Sequence, residues 1–247
     1  MFLATLELTD FRNYRQATID FLPDKNILFG ENAQGKTNIL EAIYLLCFSR
    51  SFRAQNESEI IHFGKDKSAI AGQFENDLKI CKQVTLRYSK GEGKKILVDD
   101  KAISRYSDLL GQFPIVLSTP DDIEITSGTP AARRKFVDAI ICQGSKTYLK
   151  TLQHYIRILK QRNKILSNIT GEGVTNNASL VPWDENLIKY GSIIIKFRHN
   201  FVSEFFPLLN EIYLDLNESN ERLSFSYNPS FAFSDPNETE SNFNEQI

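Results

Sequence analysis

The segment of residues 30–37 constrains the fold of this chain more than any other. It reads GENAQGKT and fits the phosphate-binding loop pattern G-x-x-x-x-G-K-[ST]. Apolar residues at 27–29 run into it, and apolar positions typical of a helix follow from Thr37 to Leu46. A buried strand at 26–29, a glycine loop and a helix, in this order, predict a nucleotide-binding fold.

The chemistry of such a loop identifies its candidate ligands. Glycines let backbone N–H groups curl around phosphates, and the helix N-terminus adds a partial positive charge. Lys36 is the candidate for the β- and γ-phosphates, and the Thr37 hydroxyl is the candidate for one Mg²⁺ position. A glycine turn before a core helix is the alternative. The predicted nucleotide-binding residues are Gly30, Glu31, Asn32, Ala33, Gln34, Gly35, Lys36, Thr37 and Asn38.

The composition is that of an ordinary globular chain: 247 residues, 41% hydrophobic and 24% charged. No apolar run approaches the ~20 residues that a membrane span needs, and the N-terminus has no basic region followed by an apolar one. We therefore expect a cytoplasmic chain without a membrane segment. Cys47, Cys81 and Cys142 lie far apart and in no metal-ligand spacing, so we interpret them as reduced thiols in the core.

The net charge of −2 conceals an uneven distribution of charge. No acidic residue lies between Asp138 and Glu172, and this interval is rich in basic side chains. A basic face of this kind is what a nucleic acid would contact, and a solvated helix face is the alternative. The candidates for contact with DNA in this interval are Lys146, Lys150, Arg157, Lys160, Arg162 and Lys164.

The first half of the chain has the patterns of strands. Alternation predicts strands at 3–8 and 17–21, and an antiparallel meander at 68–75, 80–88 and 95–99. A further short buried strand is predicted at 114–118.

The second half has the patterns of helices. Thr129 is a good N-cap with Pro130 at the first helical position, and helices are predicted from there to about 166, with a break near Gly144. A loop at 171–182 precedes a second helix at 183–216, with a break before Pro207. A returning strand at 222–227 and a disordered acidic tail at 234–247 complete a nucleotide-binding head with an inserted helical hairpin.

Several segments together resemble the RecF family of bacterial recombination mediators, which are relatives of the SMC and ABC-type ATPases. The sequences FRNY at 11–14 and GENAQGKTNILE at 30–41 are similar to that family's tetrapeptide and phosphate loop. Arg53 lies where the family has an arginine, although Ser-Phe-Arg replaces the usual Ser-His-Arg. Residues 116–138 resemble the segment that joins the family's two lobes, with Asp121 in place of its glutamate. The likeness extends from residue 1 to about 230.

The resemblance implies an α/β fold with an ABC/SMC-type P-loop ATPase head. The ATP-binding lobe I of this head would occupy residues 1–128 and contain a mixed sheet with an antiparallel meander. A helical lobe II would occupy 129–220, and a returning strand and polar tail 221–247. The implied cofactors are ATP and Mg²⁺. The implied partners are DNA at gaps and single-/double-strand junctions, RecO and RecR, and a second copy in an ATP-dependent homodimer. The implied role is recombinational repair, replication restart and the SOS response, with Arg12 and Arg53 as further candidates for contact with DNA or nucleotide.

One departure from the family is large. Its Ser-x-Gly-Gln signature and its later Walker B strand ending in Asp do not occur in this chain. We therefore interpret the chain as a RecF shortened before those motifs, with hydrolysis left open. Residues 96–100 (ILVDD) imitate a Walker B strand, but the turn-forming residues on both sides favour a hairpin.

Two other functions compete with a RecF-type mediator. One is a stand-alone P-loop small-molecule kinase, which would need its own Mg²⁺ carboxylate and acceptor pocket. The other is a non-catalytic fragment that binds only nucleotide or RecR-like partners. Arg133 and Arg134 are candidate phosphate ligands, but Arg134 and Asp138, four residues apart, favour an ordinary helix ion pair.

Overall fold

The computed structural model describes residues 1–172, 180–217 and 221–229. The chain divides into two compact units, Met1–Pro120 and Asp121–Ile247. The first unit holds the strands, and the second holds the long helices. No helix in the described residues is long and apolar enough to cross a membrane.

The first unit is built on one antiparallel sheet with the strand order β2-β1-β3-β4-β5-β6. Both N-terminal strands and the meander are therefore confirmed, because alternating apolar residues place one face of each strand on the core. The strands are β1 (Phe2–Phe11), β2 (Tyr14–Asp20), β3 (Lys67–Glu75), β4 (Cys81–Ser89), β5 (Gly93–Val98) and β6 (Lys101–Ala102). Short 3₁₀ turns cover Glu57–Ile60, Tyr106–Asp108 and Pro120–Ile123.

Helix α1 (Lys36–Phe48) packs on the sheet, as the sequence predicts. Ala42, Leu45 and Leu46 are buried in one core with the inward residues of β1, β3 and β4. Gly72 on β3 permits the close approach, since a Cβ at this position would come within 2.5 Å of a methyl group of Leu46. The helix that begins at the glycine loop is thus fixed to the sheet.

Two predicted buried strands do not form. Residues 26–29 are irregular, and the side chains of Ile27 and Phe29 are 83% and 90% exposed. Residues 114–118 are also irregular, with Val116 81% exposed. Leu28 and Ile115 pack against the core, but no strand in the described part of the chain pairs with either segment. An apolar pattern produces a strand only where a neighbour completes its hydrogen bonds.

The second unit is helical, with α2 (Glu124–Ser127), α3 (Pro130–Gly144), α4 (Lys146–Glu172) and α5 (Val181–Leu216). The N-cap prediction is confirmed: the Thr129 hydroxyl accepts a hydrogen bond from the Ala132 N–H, and Pro130 opens the helix. The break near Gly144 is also confirmed, since Ser145 separates α3 from α4 in an extended conformation. Helices α4 and α5 pack against each other as the predicted hairpin.

Three predictions in this unit are wrong. Helix α5 continues through Pro207. The proline removes one backbone donor, and Phe201 stacks on Phe205 in the turn that precedes it. Residues 222–227 form no strand, because the segment binds α5 instead: the Leu223 N–H donates to the Asn210 side chain. Of the predicted loop at 171–182, helices α4 and α5 extend into the two ends, while residues 173–179 and the tail at 234–247 lie outside the described residues.

The third wrong prediction is the ion pair between Arg134 and Asp138. The Asp138 carboxylate instead pairs with Arg198 of α5 at 2.8 Å and accepts a hydrogen bond from the Tyr148 hydroxyl at 2.5 Å. The pair therefore joins α3, α4 and α5, where a pair between Arg134 and Asp138 would have stayed within α3. Burial is the first cause of the raised pKa of Tyr148, so this phenol stays a hydrogen-bond donor.

Candidate nucleotide-binding site and basic helix face

The phosphate loop runs from Gly30 into the first turn of α1. Gly30, Ala33 and Gly35 have positive φ angles of 143°, 65° and 103°. These conformations turn the backbone repeatedly in a short span, and at positions 30 and 35 glycine adopts them without the steric cost of a Cβ. The N-cap is Gly35, which brings no capping side chain to the start of α1. The helix N-terminus is thus available to an anion.

Lys36 closes the loop from within. Its ammonium donates to the carbonyl oxygens of Gly30 and Glu31, each at 2.7 Å. The positive charge of Lys36 therefore lies against the backbone of the loop. Thr37, the predicted metal ligand, is exposed in the first turn of the helix.

The turn between β1 and β2 holds the loop from the other side. The Asn13 amide donates to the Gln34 carbonyl oxygen at 3.1 Å and accepts from Asn38 at 2.6 Å. A Cβ on Gly35 would lie 2.7 Å from the Asn13 amide and 2.9 Å from the Tyr14 hydroxyl. A glycine is therefore required at position 35 for packing as well as for its backbone angles.

A buried carboxylate lies behind this contact. Glu41 of α1 is fully buried, and its oxygens accept from Arg12 at 2.6 and 2.9 Å, from Arg53 at 3.0 Å and from Ser51 at 2.5 Å. Burial alone would raise the pKa of Glu41, but the hydrogen bonds and charges of these partners outweigh it and lower the pKa. The carboxylate is thus ionised and fully paired.

Sequence reasoning did not single out Glu41, although a signal was present. It shares one face of α1 with Asn38 and Leu45, and that face turns inward. A carboxylate on the buried face of a helix needs a cationic partner. The basic residues at 12 and 53 were the candidates.

Arg12 and Arg53, predicted as contacts for DNA or nucleotide, are both engaged inside the protein. The Arg12 side chain is 17% exposed and also donates to the Glu59 carbonyl oxygen at 2.7 Å. Arg53 is 39% exposed and also donates to the Asn38 side chain. The structure thus brings both residues together behind the phosphate loop, with their charges shared by one carboxylate.

The segment that imitates a Walker B strand is a hairpin, as turn chemistry favours. Asp99 and Asp100, with φ angles of 48° and 60°, form the two-residue turn between β5 and β6. The Asp99 carboxylate accepts from the Gln83 N–H at 2.9 Å. Within the described residues, no cluster of three or more His, Cys, Asp or Glu could hold a metal ion.

The basic residues of 146–164 lie on one helix, α4, and five of them share one face. At about 100° per residue, their directions fall within about 40° of a common line over a length of about 27 Å. All five are exposed, and no acidic residue interrupts the interval. We call them the α4 basic face: Lys146, Lys150, Arg157, Lys160 and Lys164.

Arg162 lies on the opposite side of α4 and does not belong to this face. Its guanidinium forms an ion pair with Asp184 of α5, so it joins the two helices of the hairpin. Tyr148 of the same helix is buried, and its ring packs against Phe197 of α5. Arg162 therefore differs from the other predicted DNA contacts on α4: its side chain points toward α5 and forms a structural ion pair.

The loop, its supporting turn and the helix on an antiparallel sheet have the arrangement of a P-loop nucleotide-binding head. The family profile of the RecF/RecN/SMC N-terminal domain matches residues 2–117. Among curated relatives, the DNA replication and repair protein RecF of Lachnoclostridium phytofermentans is 35% identical over 235 residues. That of Staphylococcus epidermidis is 35% identical over 247 residues, and that of Ligilactobacillus salivarius is 37% identical over 227.

Solved structures agree with the curated relatives. A structure described as the recombination mediator protein RecF-ATPrS in the RecFOR pathway superposes with a TM-score of 0.88 at 30% identity, covering 99% of this chain and 66% of that one. The corresponding RecF-ATP structure gives 0.86 at 31% identity, covering 99% and 65%. The chain belongs to the RecF family.

The chain is shorter than these relatives. Its matched part covers 92–100% of this chain but 59–66% of the relatives from Lachnoclostridium, Ligilactobacillus and Staphylococcus. The phosphate loop and α4 both fall within the matched part, since the Staphylococcus alignment covers the whole chain.

Proposed function

We propose that this chain is the nucleotide- and DNA-binding part of a RecF-type recombination mediator. It binds ATP through residues 30–38 and binds DNA along the α4 basic face. Thr37 supplies one ligand to a Mg²⁺ ion that accompanies the nucleotide. The setting would be recombinational repair and replication restart in the cytoplasm.

The arrangement of groups in the phosphate loop is the main support for this proposal. Gly35 brings no capping side chain to the backbone N–H groups at the start of α1, and Lys36 holds its ammonium within the same loop. Backbone donors, a helix N-terminus and a lysine together fit the phosphates of a nucleotide. The RecF relative whose structure is described with ATP superposes over 99% of this chain, which supports ATP as the nucleotide.

The DNA part of the proposal rests on α4. Five exposed cations in a stripe of about 27 Å can neutralise several backbone phosphates, at one charge per ~1.7 Å of duplex axis. Contacts to phosphates fix position and carry no base sequence. We therefore expect binding that depends on DNA shape, such as a gap or a junction, and that weakens steeply with salt.

Bound ATP would promote the association of two copies of the chain. It would not be consumed in a reaction with a second substrate. By kinship with RecF in the RecFOR pathway, the further partners are RecO, RecR and a second copy of the chain in an ATP-dependent dimer. The kinase alternative would need a Mg²⁺ carboxylate from Asp99 or Asp100. Both form the β5–β6 turn, and Asp99 is bonded to Gln83.

The test measures ATP affinity by calorimetry and affinity for gapped DNA by fluorescence anisotropy, with and without ATP. Lys36→Ala is the variant, and Lys25→Ala, which removes an exposed lysine outside the loop, is the control. We expect Lys36→Ala to lose ATP binding and any ATP-dependent gain in DNA affinity. ATP turnover that rises with a small-molecule acceptor and ignores DNA would favour the kinase.

A further inference from the structure

The Glu41 carboxylate has an unusual set of partners for one side chain. Oε1 accepts from Arg12 and Ser51, and Oε2 accepts from Arg12 and Arg53. Each oxygen therefore has two donors, which fills the acceptor capacity of the group and fixes its orientation. Two guanidinium groups share one fully buried negative charge.

The partners of Glu41 lead directly to the phosphate loop. Arg53 donates to the side-chain oxygen of Asn38, and Asn38 donates to Asn13 at 2.6 Å. Asn13 then donates to the carbonyl oxygen of Gln34, next to Gly35. The relay thus runs from a buried carboxylate to the backbone of the loop through one arginine and two amides.

Arg12 supports the same contact from the backbone. It has a positive φ of 52°, and its guanidinium bridges Glu41 and the Glu59 carbonyl oxygen. Its own carbonyl oxygen lies 2.7 Å from His62 Nδ1. The residue before Asn13 is therefore fixed on several sides, which sets the direction in which the Asn13 amide points.

We propose that Glu41 is a positioning residue for the phosphate loop, holding Arg12 and Arg53 so that the Asn13–Asn38 amide pair keeps the loop in the form that receives a triphosphate. This inference rests on the proposed ATP binding. Glu41 itself touches no phosphate in this scheme. It acts by fixing the loop before the ligand arrives, so that less ordering is needed on binding.

The test compares Glu41→Gln, Asn38→Ala, the double variant of both, and a control. The control is Glu57→Gln, which also removes a carboxylate paired with a cation, Lys94, but outside the relay. One measurement is hydrogen exchange of residues 30–38 without nucleotide. The other is the dissociation constant for ATP.

We expect Glu41→Gln to speed exchange in residues 30–38 and to weaken ATP binding by about tenfold, as loss of an outer partner of a binding site does. Asn38→Ala should have the same two effects. The double variant should be no worse than the more severe single variant, because both changes break one relay. Glu57→Gln should match the wild-type chain in both measurements.

If the role of Glu41 is only structural, Glu41→Gln will lower the melting temperature but leave loop exchange and ATP affinity within about twofold of wild type. Alternatively, the effects of Glu41→Gln and Asn38→Ala will add in the double variant. Either result overturns the proposal. Should Glu41→Gln fail to fold, Arg53→Gln and Asn38→Ala decide, and wild-type loop exchange in both overturns it. A wild-type chain that binds no ATP overturns the proposed function, while the exchange data still decide whether Glu41 positions the loop.

Discussion

The side chain of Asn13 occupies the space in which Gly35 would carry a Cβ, 2.7 Å away. Asn13 lies on the turn between two strands, and Gly35 is the N-cap of α1. The phosphate loop is thus held by a sheet turn that precedes it in the chain by more than a dozen residues. Its shape depends on this contact as well as on its glycines.

Gly35→Ala should abolish ATP binding. The new methyl group would meet the Asn13 amide and the Tyr14 hydroxyl, and the backbone has a φ of 103° that alanine disfavours. Gly91→Ala is the matched control, since its Cβ would meet nothing within 4 Å. Calorimetric titration with ATP measures the effect, and binding by Gly35→Ala at wild-type affinity would contradict the role assigned to Asn13.

Removing three charges from the α4 basic face should weaken DNA binding and reduce its salt dependence. The change is Arg157, Lys160 and Lys164 to Ala. The slope of log K against log salt is negative, and each lost phosphate contact reduces its magnitude by about 0.9. The magnitude of the slope should therefore decrease by about 2 to 3. Anisotropy titrations of gapped DNA at several salt concentrations measure it.

Two controls accompany the triple variant. A triple change elsewhere, Lys25, Lys67 and Lys82 to Ala, has the same change in net charge and should leave the slope unaltered. Arg162→Ala should lower stability through loss of its ion pair with Asp184 and should spare the slope. Equal slopes for the α4 triple variant and the wild-type chain would remove α4 from the proposed DNA site.

The Glu41 cluster predicts a specific loss of stability in acid. The pKa of Glu41 is lowered in the folded chain, so its contribution is complete above about pH 4.3, the ordinary pKa of a glutamate, and is lost as the pH falls through the lowered folded-state value. The difference in unfolding free energy between wild type and Glu41→Gln should therefore be constant near neutral pH and shrink below about pH 4. Urea unfolding at a series of pH values tests this, and a difference at pH 3 that is as large as at pH 7 would argue against it.

Asp138→Asn should destabilise the helical unit by about 3 kcal/mol, because it leaves the half-buried Arg198 guanidinium without its partner. Asp66→Asn is the control. Its ion pair with Lys90 is exposed and should contribute less than about 1 kcal/mol. Urea unfolding followed by circular dichroism measures both, and equal costs would mean that burial does not strengthen the pair of Asp138.

Cys81 should be the thiol that reacts with a maleimide in the folded chain. Cys47 and Cys142 are buried, as the sequence predicts, but the predicted core position of Cys81 is wrong: this residue is exposed at the start of β4. Burial also raises the pKa of Cys47 to about 12, which leaves almost no thiolate at pH 8. Peptide mass spectrometry after brief labelling checks the prediction, with full labelling in urea and the Cys81→Ser variant as controls.

Much of the fold followed from local patterns alone. Alternation located β1 to β5, because one buried face imposes a period of two, and turn chemistry distinguished the Asp99–Asp100 hairpin from a Walker B strand. Thr129 and Pro130 identified the start of α3, because an N-cap and a first-turn proline are local requirements of a helix. The phosphate-loop motif was also visible in the sequence, because it lies within eight consecutive residues.

Other features depended on which segments meet in space. Residues 26–29 and 114–118 have strand patterns, yet they stay irregular because no described strand pairs with them. Asp138 had a basic neighbour four residues away, but Arg198, sixty positions later, is the residue that reaches it. Such choices depend on distances that the sequence does not contain.

The sequence by itself determined which chemical groups this protein carries: a glycine loop that contains Lys36 and Thr37, and an interval of basic residues without acidic ones. The tertiary structure alone decided how these residues are used. It assigned Arg12 and Arg53 to a buried carboxylate and turned Arg162 toward Asp184, and it left five other cations of α4 in solvent. The physical reason is that a charge becomes a ligand site or a structural ion pair according to its burial and its nearest opposite charge, and folding sets both.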